Sequence, residues 1–386
     1  METKINYVVE GVGFHNKGAQ LMLLAIQQEL ATWNNNNSVS LDFRVGDIQQ
    51  RNHNHVKHLL RFESDKLPWL DLTLNTVFST APNFIRDSLN VVLKSDIDVV
   101  LDASGFRFSD QWGLKATRVR RQLFENWKKK DTKIILLPQA FGPFTQPEIQ
   151  QEFDQILKLA DLIFARDQES FNHIQSVSQS LDNVKIAPDF TNLLEPKWPS
   201  YASKLIDKPC IIPNARMLDK TDSCVSNKYL DLLIACIDFL QEKGLEPFIL
   251  IHETFDISIA EKLNTLTKKK IQVIQEEDPL YLKGILGDSK LVIGSRFHGL
   301  ISSLSQGIPC LGTGWSHKYE MLFDEYNCSE LLINVGDEIS KVLNKLESLI
   351  EGEQREAVVK TIKASSEKQK KLSTEMWDEV QRTLLA

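Results

Sequence analysis

The sequence predicts an α/β protein made of two Rossmann-like domains, and three observations carry that prediction. Short apolar runs recur along the chain, each followed by a polar or glycine-bearing loop and often by residues of helical periodicity. Buried parallel strands read as such unbroken apolar segments, and repeated β-loop-α units point to a doubly wound sheet. The pattern then restarts near Trp198 to Pro209, where a Pro-Ser break precedes the strand-like CIIPN. Finally, 386 residues exceed one ordinary core, since a domain takes roughly 100–200 residues. We therefore expect one domain over 1–205 and a second over 206–386, facing a shared cleft onto which the strand carboxyl ends open.

In order, Ile5 to Val9 reads as a strand closed by Gly11 and Gly13, and residues 18–32 as a helix with apolar residues at helical spacing. Val39 to Val45 is a second strand; Gln49 to Asn90 is polar, histidine-bearing and reads as an insertion. Ile97 to Leu101, Ile134 to Leu137 and Leu162 to Ala165 are further buried strands. Beyond the restart, residues 227–243 read as a helix, Pro247 to Ile251, Ile271 to Ile274 and Leu291 to Ile293 as strands, and Asp278 to Leu286 and Phe297 to Gln306 as helices. The last 35 residues are charged and periodic and predict one or two surface helices.

A net charge of −7 and a pI near 5.7 exclude a broad phosphate-neutralising surface, so no nucleic-acid partner is expected. The basic runs Lys128–Lys130 and Lys268–Lys270 read as solvated helix ends or turns. No run approaches the ~20 apolar residues that span a bilayer, and the amino terminus lacks the layout of a signal peptide. Five cysteines, widely spaced and without a C-x-x-C pair, fit free thiols in a reducing compartment, so a cytoplasmic address is expected. His53, His55 and His58 lack acidic partners, and no metal site is expected.

Function should lie in loops after strands, and five stand out. GVGFHNKGAQ, with Gly13, Gly18 and Asn16, suits a close backbone approach and an anion at a helix start, but Ala19 and Gln20 replace the Lys and Ser/Thr of a P-loop. LDASGFRFSDQWG crowds Asp102, Ser104, Arg107 and Asp110 behind a strand; such polar density is costly unless it serves a cleft. LLPQAFGPF offers Gln139 on a loop stiffened by prolines, and FARDQESF offers Arg166, for which a capping or ion-pair role is equally open. The richest is LVIGSRFHGLISSLSQGIPCLGTGWSHK. Arg296 presents a fork for carboxylate or phosphate, His298 offers an acid or base, Ser295 lies between strand and helix, and Lys318 follows a second strand at the same rim.

Taken together, the glycine loop with Asn16, the ASGF, PQAFGPF, ARDQES and APDF segments, and above all GSRFHGL followed by GIPCLGTGWSHK, resemble the polysaccharide pyruvyl transferase family from Gly11 to about Lys318. The resemblance implies a GT-B-like fold and transfer of the pyruvyl group of phosphoenolpyruvate, as co-substrate without a further cofactor, onto two hydroxyls of a sugar. The product would be a cyclic ketal in a glycan or polysaccharide precursor. By position, Arg296 and His298 match the donor-binding and catalytic segment, and Arg216 in IIPNARM matches a further donor-binding arginine; where the family's first loop is acidic after its glycine, this chain has Ala19.

The residue chemistry agrees with this implication. Phosphoenolpyruvate carries a carboxylate and a phosphate, which arginines and helix amides can hold. His298 can supply the acid, and Asp102, Asp110 or Glu253 the base, with no choice among the three. The partners expected are phosphoenolpyruvate and a sugar acceptor, with peripheral contact to a lipid-linked acceptor as the one membrane contact the reading allows. Two alternatives remain at this stage: a GT-B-type nucleotide-sugar glycosyltransferase, and a glycan-binding member of the fold without turnover.

Overall fold

The computed structural model describes residues 4–385 apart from 35, 43, 62–67, 220–222 and 315–316; the side chains of 68–72, 74, 83, 219 and 223–227 also lie outside the description. The side chain of Cys224, one of the five cysteines, and the Trp315–Ser316 pair of the GTGWSHK segment therefore lie outside the description. The chain forms two compact units, one of Met1–His15, Met22–Phe190 and Thr374–Ala386, the other of Asn16–Leu21 and Thr191–Ser373. The sequence places the boundary at 205/206, whereas the units divide at Phe190/Thr191 and the chain end returns to the first unit.

In the first unit the strands are β1 (Asn6–Glu10), β2 (Ser38–Asp42), β3 (Lys57–Leu60), β4 (Val91–Leu93), β5 (Val99–Asp102), β6 (Phe106–Phe108), β7 (Lys133–Phe141), β8 (Leu162–Ala165) and β9 (Val184–Ile186). They pair in parallel in the order β4-β3-β2-β1-β5-β7-β8-β9, with β6 on β7. The central strands are apolar and wholly buried, as Val8, Val100, Ile134 and Ile163 illustrate. The 49–90 segment is no insertion: it contributes β3 to the sheet and leads directly into β4, which pairs with β3 at His58 and Val91. Their brevity and the polar Lys57-His58 start hide them from an apolar-run reading. The PQAF part of the third loop is also strand. Pro138 cannot donate to a ladder, and the β7–β8 register shifts between Leu136 and Gln139 to accommodate it.

The second unit holds β10 (Cys210–Ile212), β11 (Phe248–Ile251), β12 (Gln272–Gln275), β13 (Val292–Gly294) and β14 (Cys310–Gly312), all parallel in the order β12-β11-β10-β13-β14. The core of this unit joins Ile211, Ile249 and Val292 of the sheet to helix residues such as Leu233, Ile237 and Leu300. Strand order reverses between β1 and β5 in the first sheet and between β10 and β13 in the second. Helices cross to opposite faces on either side of such a reversal, which leaves a crevice at the strand carboxyl ends.

The C-terminal residues are not merely a surface coat. The helix Glu353–Leu385 has its last turns in the first unit, where Trp377, 1% exposed, meets Trp33 and Phe190 edge-on at 5.8 and 5.7 Å. Its charged, periodic sequence advertises the solvent face and not this aromatic anchor. Truncating a buried Trp forfeits both transfer energy and packing, so Trp377→Ala is expected to lower unfolding free energy by about 3–5 kcal/mol in a urea titration. A loss below ~1 kcal/mol would show that the terminal turns do not anchor the unit.

Candidate active site

The reversal in the second sheet gathers the donor-binding residues expected from the sequence together with Glu253, the candidate base or acceptor contact. Arg216 follows β10, Glu253 follows β11, Arg296 and His298 follow β13, and Lys318 follows β14. Arg296 is 6% exposed and its fork grips a carboxylate: Nε lies 2.9 Å from Asp256 Oδ2 and Nη2 2.5 Å from Oδ1. Nη1 reaches Glu253 Oε2 at 2.7 Å. Burial alone would depress the arginine pKa, but Asp256 and Glu253 outweigh it and push the value up. The guanidinium is therefore permanently charged and already neutralised by protein.

Asp256, with no exposed surface, links three strand ends. Its Oδ1 also accepts from the Ala215 amide at 2.8 Å and its Oδ2 from the Glu253 amide at 3.2 Å. Asn214 completes the frame by donating from Nδ2 to the Ser295 carbonyl at 2.7 Å. Ser295 itself is fully buried: its hydroxyl lies 3.0 Å from Tyr229 and 2.6 Å from Thr313, so its side chain serves the frame. Arg216 is exposed and makes no ion pair among the described residues. The Lys318 ammonium lies 4.9 Å from the centre of the Phe297 ring, within cation–π range, which keeps it beside the Arg296–His298 segment.

Two further features were not visible in the sequence. His252, at the end of β11, is 3% exposed, and among the described residues neither ring nitrogen has a hydrogen-bond partner. Burial, reinforced by Arg296, His298 and Lys17, holds its pKa well below the ordinary histidine value, so it is a neutral imidazole. The start of the helix Lys17–Trp33 also belongs to this unit: Asn16 Oδ1 caps it by accepting from the Ala19 amide at 3.2 Å, and a Cβ at Gly18 would overlap the His298 imidazole. Gly18 is needed for that contact. Gly13 is less constrained, since a Cβ there would meet only Val45, at an ordinary 3.8 Å.

The first unit presents a second charged cluster at its own reversal. Glu10 ends β1, Asp42 ends β2 and Asp102 ends β5. Arg61 pairs with Glu10 and, through Nε at 3.1 Å, with Asp42; Arg120 Nη1 lies 3.2 Å from Glu10 Oε2. Burial raises the Glu10 pKa, yet Arg120 and Arg61 prevail and bring it to about 2. Asp102 differs: complete burial raises its pKa despite Arg120 and the hydrogen bonds from Ser104, whose amide donates at 3.0 Å and whose hydroxyl also donates.

The remaining candidates are tied into this unit's frame. Asp110 accepts from the Thr145 amide and hydroxyl at 2.7 and 2.6 Å; burial works to raise its pKa, but these bonds hold it below the usual range. Gln139 is fully buried in β7, its Nε2 3.5 Å from the Asp102 carbonyl and its Oε1 without a partner among the described residues. Arg166 lies 3.6 Å from Asp189 of the APDF segment, while its neighbour Asp167 caps the next helix through the Ser170 amide at 2.6 Å.

Paired parallel-sheet units, each with a polar constellation at its strand reversal, define a GT-B-like protein. Solved structures agree on that fold. The UDP-GlcNAc 2-epimerase of Neisseria meningitidis bound to UDP-GlcNAc has a TM-score of 0.61 and 12% identity, over 99% of this chain and 100% of that one. Anabaena HepE in complex with UDP and glucose has a TM-score of 0.61 and 14% identity, over 98% of this chain and 100% of that one. Methanocaldococcus jannaschii UDP-GlcNAc 2-epimerase gives 0.55 and 12%, over 91% and 94%. The family is given by sequence: the model of the polysaccharide pyruvyl transferases matches residues 16–317, and the chain belongs to that family of transferases. No curated protein matches the chain.

Removing one partner of a buried ion cluster strands the other charge. Asp256→Ala is accordingly expected to cost about 3–5 kcal/mol of unfolding free energy, read from the urea midpoint. A cost below ~1 kcal/mol would mean that Arg296 does not depend on Asp256.

Proposed function

We propose that the chain transfers the pyruvyl group of phosphoenolpyruvate onto two hydroxyls of a sugar in a glycan or polysaccharide precursor. A cyclic ketal forms and phosphate leaves. The observation that carries this reading is the grouping of Arg216, Arg296, His298 and Lys318 at neighbouring strand ends in a member of the pyruvyl transferase family. Phosphoenolpyruvate brings two anionic groups. Arg216 and Lys318 supply cationic charge, the start of the helix Phe297–Leu304 supplies amides, and Arg296, anchored by Asp256, holds the loop and offers its remaining N–H donors.

His298 delivers a proton to the methylene carbon, and positive charge develops at C2. One sugar hydroxyl attacks C2, the C–O bond to phosphate breaks, and the second hydroxyl closes the ring. Of the two hydroxyl protons, one replaces the proton given to the methylene carbon and the other leaves with phosphate. The neutral His252 beside this segment can accept or donate a hydrogen bond without adding charge that would compete with the donor. Among the described residues no helix is long and apolar enough to cross a membrane; a cytoplasmic site of action, with at most peripheral contact to a lipid-linked acceptor, belongs to this proposal.

The test is phosphate release from phosphoenolpyruvate in the presence of a panel of glycosides. Release that requires both substrates is expected, and His298→Gln should lower kcat about a hundred- to ten-thousand-fold, the span of general-acid catalysis. Consumption of a nucleotide sugar with no release from phosphoenolpyruvate would overturn the proposal in favour of glycosyl transfer. Unchanged kcat in His298→Gln would remove His298 from the chemistry.

A further inference from the structure

The first unit contains a cleft of about 680 Å³ lined by Ser104, Phe106, Arg107, Trp112, Lys115, Ala116, Val119 and Arg120. It lies between the loop after β5 and the first half of the helix Gly113–Lys128. That is the carboxyl edge of the sheet at its strand reversal, where topology leaves room for a ligand. Its walls are unusual for solvent-facing surface. Trp112 is 48% exposed and Val119 49%, and the Trp112 ring stands edge-on to Phe106 at 6.4 Å. The flat aromatic faces that this leaves open suit a sugar ring.

The charges in the cleft add a second requirement. Arg120 is committed to Glu10, and its guanidinium also lies 5.8 Å from the Phe124 ring centre. Arg107 and Lys115 have no such commitment: neither forms an ion pair among the described residues. Two uncompensated cations facing an aromatic wall call for an anionic group attached to a ring. Ser104 supplies a hydroxyl at the inner end, itself hydrogen-bonded to Asp102.

We infer that this cleft binds an anionic sugar, a glycosyl phosphate or a uronic-acid residue, with the ring on Trp112 and Phe106 and the anion on Arg107 and Lys115. The inference rests on the reading that the chain acts on a sugar acceptor and narrows that acceptor to an acidic one.

Isothermal titration of the whole chain, without phosphoenolpyruvate, tests this separately from turnover. The probes are glucose 1-phosphate, glucuronic acid, methyl glucoside and inorganic phosphate. At low salt, glucose 1-phosphate or glucuronic acid should bind at least tenfold more tightly than methyl glucoside and than inorganic phosphate, and the stronger of the two identifies the anion. Raising the salt should weaken that binding. Arg107→Ala with Lys115→Ala, and separately Trp112→Ala, should each lose at least tenfold; Lys115→Ala alone, at an exposed position, guards against misfolding and should lose severalfold. Equal binding of methyl glucoside, no binding of either acidic sugar, or unchanged binding in the folded variants would overturn the inference. Because no turnover is read, failure here leaves the phosphate-release result standing, and failure there leaves this one.

Discussion

The carboxylate of Asp256 is the constraint on which the second unit's site depends. It receives the Arg296 fork, the Ala215 amide and the Glu253 amide, and so fixes the chain after β13, β10 and β11 at once. A buried cation is tolerated only where such pairing offsets its desolvation. With Arg296 thus satisfied, the role we propose for it is less that of a lone anion receptor than of the pin that holds the loop carrying His298. In the proposed reaction the cationic work falls more heavily on Arg216, which is exposed, and on Lys318, held against Phe297.

The same economy appears in the first unit, with a different outcome for each carboxylate. Glu10, between two arginines, is held ionised, whereas Asp102, with Ser104 as its closest donor and Arg120 only at 4.0 Å, is pushed towards its neutral form. Both close strands that flank the reversal of the sheet, and Gly11, at a φ of +80°, allows the loop after β1 to pass tightly against Ser104. Glycine is favoured at such a φ because it lacks a Cβ. Topology therefore brings Glu10, Asp102 and the aromatic cleft to one edge, although they are far apart in sequence.

Much of this was legible in the sequence, for identifiable reasons. GSRFHGL announces itself because its arginine and histidine are neighbours on one strand-to-helix loop, and the apolar runs of β1, β5, β8 and β10 are unbroken. Residues that matter through space were less visible. His252 and Asp256 bracket Glu253 but carry no local signal, and Arg120 sits on a helix whose exposed face is generally basic. Ser295 looked available next to Arg296, but its hydroxyl turns into a buried pair with Tyr229 and Thr313. β3 and β4 are hard to read because both are short and β3 starts on polar residues, and the aromatic anchor of Trp377 is masked by the charged face of its helix.

The central claim is that the strand ends around Arg296 and His298 hold phosphoenolpyruvate and not a nucleoside diphosphate. The most direct measurement is the thermal midpoint of the whole chain with each ligand in turn, since a ligand that binds only the folded state raises it. The account predicts a concentration-dependent rise with phosphoenolpyruvate, lost in Arg216→Met, and no comparable rise with UDP. Protection by UDP with none from phosphoenolpyruvate would contradict it.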